Sequence, residues 1–186
     1  MEGIGRRLGA TGNGSILDIG HHSLNGRERN VLYRNNADGT FSDVGWVNNA
    51  DRIEDGRGLA VFDYDGNGSL DLLLRNYRTQ TVLLANRGDS NHSVSFELTG
   101  TRSNRDAVGA KLRLRSGEHW QTRVVTTGSG YLSASSLRVH FGLGDAERID
   151  ELVIEWPSGQ RTVLTDLAVD RMHAIREADE YAFEGP

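Results

Sequence analysis

With 186 residues the chain has room for one large domain or two small ones, each able to bury a core. Its 37% hydrophobic and 25% charged residues describe a globular protein, and a net charge of −5 argues against general binding to nucleic acid. No apolar run reaches the ~18 residues that mark a membrane-spanning helix. Zero cysteines exclude disulfides, thiol catalysis and cysteine-built zinc sites.

Residues 1–29 carry little periodic signal. Within them Gly12-Asn-Gly-Ser-Ile-Leu-Asp18 echoes a later stretch, Gly66-Asn-Gly-Ser-Leu-Asp71, with one residue inserted. Gly9 and Thr11 stand where acids would be expected, so the segment reads as a degenerate repeat that has lost its metal. Two short strands follow, Asn30 to Arg34 and Thr40 to Val44, around the turn formers Asn36-Ala-Asp38-Gly39. Residues 45–57 form a polar, acidic loop.

The most informative stretch is Leu59-Ala-Val-Phe-Asp63-Tyr-Asp65-Gly-Asn67-Gly-Ser69-Leu-Asp71-Leu-Leu-Leu-Arg75, two apolar strands joined by an acidic loop. Asp63, Asp65, Asn67 and Asp71 occupy loop positions one, three, five and nine. With the backbone carbonyl of Ser69 they would offer an all-oxygen set, which suits a hard cation of Ca²⁺ size better than Mg²⁺. Gly66 and Gly68 supply the backbone freedom for the tight wrap. An EF-hand is excluded, because Leu74 stands at position twelve and strands rather than helices flank the loop. A plain polar hairpin would explain the glycines but not three acids at alternating positions, whose mutual repulsion costs stability without a cation.

Thr81 to Ala85 completes a blade-like set of strands, and Asn86-Arg-Gly-Asp-Ser-Asn91 is a linker of turn formers. Beyond it the pattern is all-β. Val94, Phe96 and Leu98 alternate with polar residues, and Ala110, Leu112 and Leu114 alternate with Lys111, Arg113 and Arg115. Further apolar segments at 120–125, 139–141, 152–156, 163–164 and 172–175 are separated by turns at the spacing of a β-sandwich. The inner face is expected to hold Phe96, Leu98, Leu112, Leu114, Ile154 and Trp156. At most a short helix fits near Gly144 to Arg148. The acidic stretch from Glu177 onward reads as frayed. The expected division is 1–88 for the partial blade, 89–177 for an antiparallel sandwich and 178–186 for the tail.

Asp63-x-Asp65-Gly-Asn67-Gly-x-x-Asp71-Leu resembles the calcium loop of FG-GAP/VCBS repeats, the blades of integrin-α-type propellers. Ser103-Asn-Arg-Asp-Ala-Val-Gly-Ala110, Gly128-Ser-Gly-Tyr-Leu-Ser133, His140-Phe-Gly-Leu-Gly144 and Trp156-Pro-Ser-Gly159 then occur in the order seen in the ASPIC/UnbV family. The resemblance covers about residues 30 to 176. It implies an all-β fold, a propeller-like blade carrying calcium on Asp63, Asp65, Asn67, Ser69 and Asp71, and an ASPIC/UnbV-like sandwich after it. One blade cannot close a propeller, which needs about four or more. A partner protein or identical chains are therefore expected to cover the open sheet.

The leading functional reading is a non-enzymatic, calcium-stabilised interaction module, extracellular or at a cell surface, with self-assembly as an extension. The segment Met1 to Arg7 lacks the apolar core of a secretion signal. The chain is then the mature part or a fragment of an exported protein, or else cytosolic; a weak calcium site favours export, since it fills only where calcium is plentiful. One alternative is a carbohydrate-binding module using Trp46, Trp120, Trp156 or Tyr131 as sugar platforms. Another is a glycan-processing enzyme whose carboxylate pair the sequence does not reveal. Arg87-Gly-Asp89-Ser is an integrin-type tripeptide that a polar linker also generates by composition. The six histidines are scattered, and His140 on a strand reads as structural. Arg102, Arg105, Lys111, Arg113, Arg115 and Arg123 form a basic ladder, expected to be a solvated strand face, or else a surface for an acidic polymer.

Overall fold

The computed structural model describes residues 28–88, 91–131 and 133–178; the degenerate repeat at Gly12 to Asp18 and the tail at 179–186 lie outside them. Twelve strands and no helix occur among the described residues. The segment between Gly144 and Arg148, where a short helix was allowed for, is instead a turn linking two strands.

The N-terminal strands fall where turn chemistry put them. β1 (Tyr33–Asn35) pairs with β2 (Phe41–Asp43) as an antiparallel hairpin. β3 (Gly56–Phe62), β4 (Asp71–Asn76) and β5 (Val82–Leu84) form a three-stranded antiparallel sheet in that order. This part buries little apolar surface: Tyr33, Phe41, Trp46, Val47 and Ile53 are all at least half exposed.

The remaining strands are β6 (His92–Thr99), β7 (Lys111–Ser116), β8 (His119–Val124), β9 (Val139–Gly144), β10 (Arg148–Glu155), β11 (Arg161–Ala168) and β12 (Arg171–Arg176). They form a four-stranded sheet ordered β11-β10-β7-β8 and a three-stranded sheet ordered β12-β6-β9. Their facing sides share one core, in which Phe96, Leu98, Leu112, Leu114, Ile154 and Trp156 are all buried as the alternation requires. Leu112 lies opposite Ile154 and Leu114 opposite Leu152, so apolar residues meet in rows across the strands. Phe96 meets Phe141 edge to face at 5.9 Å. Each such fully buried side chain contributes about 1.5–3 kcal/mol.

The sandwich departs from a wholly antiparallel arrangement in one pair, since β12 runs parallel to β6. The cause is the turn after β11. Asp170 sits there at φ 55°, its N–H bonds to the Ser93 carbonyl at 2.6 Å, and its carboxylate accepts the Ser93 N–H and meets His92 Nδ1 at 2.5 Å. The chain thus crosses to the other sheet beside the start of β6 and runs on in the same direction. The Ser93 and His92 bonds hold the Asp170 carboxyl below its ordinary range.

The basic ladder is only partly one face. Lys111, Arg113 and Arg115 project outward opposite Val124, Thr122 and Trp120, while Arg123 pairs with Leu112 on the inner side. There its guanidinium lies 5.4 Å from the centre of the Phe141 ring, covering the margin of the core. On the outer face Lys111 meets Glu155 at 3.6 Å, and Arg115 meets Asp150 at 3.5 Å and Glu151 at 3.7 Å. Those two cations are therefore answered within their own sheet. Arg102 and Arg105 belong to the loop between β6 and β7.

Candidate metal centre

The loop between β3 and β4 brings the three expected acids together. One carboxylate oxygen each from Asp63, Asp65 and Asp71 lies within 4.8 Å of the others. Asp71 is fully buried, Asp63 half-buried and Asp65 exposed. None of the ion pairs among the described residues involves them. At an effective dielectric of ~20, two unit charges at that separation repel by roughly 3 kcal/mol.

Backbone N–H groups offset part of this. Asp63 accepts from Gly66 at 2.8 Å, Asn67 at 3.1 Å and Gly68 at 2.9 Å. Asp65 accepts from Asn67 at 3.2 Å, and Asp71 from Tyr64 at 2.8 Å and Asn86 at 2.7 Å. This is the compact wrap that Gly66 and Gly68 permit at φ 77° and 85°. The donor set is all-oxygen; Asp63 Oδ1 accepts two N–H groups, while Asp63 Oδ2, Asp65 Oδ1 and both Asp71 oxygens accept one each and keep a lone pair, so the residues suit a hard cation.

Asn67 and Ser69 are joined to each other within the same loop. The Asn67 amide is tied at both ends: its Oδ1 accepts the Ser69 N–H at 2.8 Å, and its Nδ2 donates to the Asn86 carbonyl at 3.0 Å. Ser69 enters the loop's hydrogen bonds through this N–H. Asn86, read in the sequence only as a linker residue, thus clasps the loop from both sides.

Two further features escaped the sequence reading. The first is the joint between loop and sandwich. The Gly68 carbonyl accepts from Ser93 Oγ at 2.7 Å and from His140 Nε2 at 2.9 Å, which confirms His140 as a satisfied side chain. The Leu59 and Val61 N–H groups of the β3 edge donate to Ser133 Oγ and Ser135 Oγ, both at 3.2 Å. The cleft beside this joint measures about 820 Å³ and is lined by Asp63, Asn67, His92, Arg138 and Arg171 among others.

The second is Glu177, expected to begin a frayed tail and found 1% exposed. Its Oε2 accepts three successive N–H groups, Thr101 at 2.8 Å, Arg102 at 3.0 Å and Ser103 at 2.8 Å. Its Oε1 accepts the hydroxyls of Ser103, at 2.9 Å, and Ser158. The strand therefore ends on an anion nest, not in solvent. Burial pushes the Glu177 carboxyl up, but the bonds from Ser158, Ser103 and Thr101 outweigh it and bring it down to about 2.

These contacts join two of the motifs picked out in the sequence, Ser103 to Ala110 and Trp156 to Gly159, around one carboxylate. Residues 100–182 match the family model described as ASPIC and UnbV, and residues 21–74 match that of the FG-GAP-like repeat. The chain is an ASPIC/UnbV module preceded by an FG-GAP-like repeat. Cartilage acidic protein 1 of Mus musculus is 35% identical over 141 residues, 70% of this chain and 21% of that protein. The Homo sapiens protein is 34% identical over the same length, and that of Xenopus tropicalis 36% identical over 115 residues, 57% of this chain and 17% of the relative. The ASPIC/UnbV chain thus spans about a fifth of the curated relatives it matches.

Of the aromatic residues considered as sugar platforms, Trp46 and Tyr131 are exposed, Trp120 is half exposed and Trp156 is buried. Trp156 is buried with its Nε1 bonded to Thr162 at 2.8 Å. Trp120 lies half exposed on the outer face, with the Arg113 and Arg115 guanidinium groups 5.0 and 5.8 Å from its ring. Trp46 stands in the loop after β2.

Proposed function

We propose that the chain is a non-enzymatic, calcium-binding interaction module of an extracellular protein. The observation that carries this reading is the convergence of Asp63, Asp65 and Asp71, which make no ion pair among the described residues, in a loop lying within the FG-GAP-like match. Asp63, Asp65 and Asp71 would hold the ion, with Asn67 and the Ser69 carbonyl as the remaining oxygen donors. The ion supplies positive charge that cancels the repulsion between carboxylates, and it thereby stiffens the loop. The backbone N–H bonds to Asp63 and Asp71 hold those carboxylates in place beforehand, so little ordering cost remains for binding.

The resemblance to cartilage acidic protein 1 and the weak affinity such loops have, on the order of 10⁻⁵ to 10⁻³ M, support a calcium-rich extracellular setting. The sandwich from 89 to 177 acts as the second unit, and the apolar surface left open around β1, β2 and the loop after them is the contact for a protein partner, most simply an identical chain. Thermal unfolding tests the calcium reading. Saturating Ca²⁺ raises Tm relative to chelator, since a ligand bound only by the folded state stabilises it by mass action. Asp65→Ala abolishes the shift. A wild-type chain whose Tm ignores both Ca²⁺ and chelator refutes the site.

A further inference from the structure

The structure ties the acidic loop to the sandwich at the Gly68–Ser69 peptide unit. We propose that Ser93 and His140 are positioning residues for the cation loop, acting through the Gly68–Ser69 peptide on Asn67. This deepens the calcium reading and rests on it.

The argument starts from the planarity of the peptide bond. In a trans unit the C=O of one residue and the N–H of the next point in opposite directions, so fixing one end fixes the other. The Gly68 carbonyl is fixed by two donors from the sandwich, Ser93 Oγ at 2.7 Å and His140 Nε2 at 2.9 Å. The opposite end of the same unit, the Ser69 N–H, donates to Asn67 Oδ1 at 2.8 Å. The oxygen that Asn67 would offer a cation is therefore oriented by side chains 25 and 72 residues away from Gly68. The Gly68 N–H bonds Asp63 Oδ2 at 2.9 Å, so displacement of Gly68 also disturbs the first acid of the loop.

Gly68 is required here for a reason beyond its positive φ. A Cβ at this position would lie 2.8 Å from Ser93 Oγ, a separation that real Cβ atoms do not adopt. Glycine alone lets the hydroxyl come this close to the loop. The joint is also continuous with the contact of Ser133 and Ser135 on the β3 edge, so loop and sandwich meet along a line and not at one point. Two sites joined by shared contacts influence each other reciprocally: what holds the loop for the ion is in turn held by the ion.

Calorimetric titration of Ca²⁺ into the whole chain tests this. The Ser93→Ala/His140→Ala variant should bind Ca²⁺ about tenfold more weakly, within the ~5–150-fold range of ordinary coupling. Ser93→Thr, which keeps the hydroxyl, should bind like wild type. Glu177→Gln loosens the sandwich elsewhere and should leave affinity within about twofold. In chelator, amide exchange at Ser69 should be faster in the double variant than in wild type. If the double variant fails to fold, Ser93→Ala alone is judged on the same comparisons, with a loss of about threefold expected. Unchanged affinity in the alanine variants overturns the proposal, as does an equal loss in Glu177→Gln, which would mark a general loosening. A wild-type chain that binds no Ca²⁺ fails at the earlier reading and takes this one with it, whereas wild-type binding with unaffected variants defeats this proposal alone.

Discussion

Replacing Glu177 by glutamine removes a charge from the nest at the end of β12 while keeping its shape. The carboxylate collects three backbone N–H groups on one oxygen and two hydroxyls on the other. Its pKa falls from an ordinary 4.5 to about 2. At about 1.36 kcal/mol per pH unit that difference corresponds to roughly 3 kcal/mol of stability carried by the charged form. Because the folded value lies below the unfolded one, the contribution is complete above pH 4.5 and drains away as the pH falls toward 2. Glu177→Gln, the neutral isostere, should therefore cost roughly 3 kcal/mol at pH 7 and less than half of that at pH 3. For a chain of this size each kcal/mol moves Tm by about 2–4 °C, so a loss of about 6–12 °C is expected at pH 7. Urea unfolding followed by the fluorescence of the buried Trp156 reports on the sandwich, and the wild-type-minus-variant difference cancels every other titrating group. A difference near zero at pH 7, or one that does not shrink at pH 3, refutes the nest as an energetic feature.

Two other outcomes are expected. Gly100→Ala places a Cβ 2.2 Å from the Asn104 carbonyl oxygen, so the loop before β7 must move; a loss of at least ~1–3 kcal/mol in denaturant unfolding is the expected cost, and wild-type stability would contradict the packing of that loop. The exposed Tyr33, Phe41, Trp46 and Val47 should drive concentration-dependent association in light scattering, reduced by a Trp46→Ser/Val47→Ser variant; a monomer at every concentration would dismiss self-association through this face.

The buried face of the sandwich was legible because strand side chains alternate with period two. Once Leu112 and Leu114 are inside, Lys111, Arg113 and Arg115 must be outside, and no other register buries Ile154 with them. The acidic loop was legible for a similar local reason. Asp63, Asp65 and Asp71 lie within nine residues of one another, and two glycines at positive φ fold that short stretch back on itself. Both features depend on neighbours in the chain, and spacing encodes them directly.

What only the tertiary structure decided involves partners far apart in sequence and donors that have no side-chain signature. Glu177 looked like the start of an acidic tail because its partners are backbone N–H groups 74 to 76 residues away, which any residue type could supply. Arg123 was counted with the outward ladder, but pairing with Leu112 turned it toward Phe141, since facing is set by register against β7 and not by charge. The parallel course of β12 came from Asp170 and its bonds to the start of β6. Likewise, the hold of Ser93 and His140 on Gly68 acts on a backbone carbonyl, and a carbonyl is present at every residue. Period and spacing specified which residues face inward and which acids gather; the packing of one sheet against another specified what those acids and that last glutamate touch.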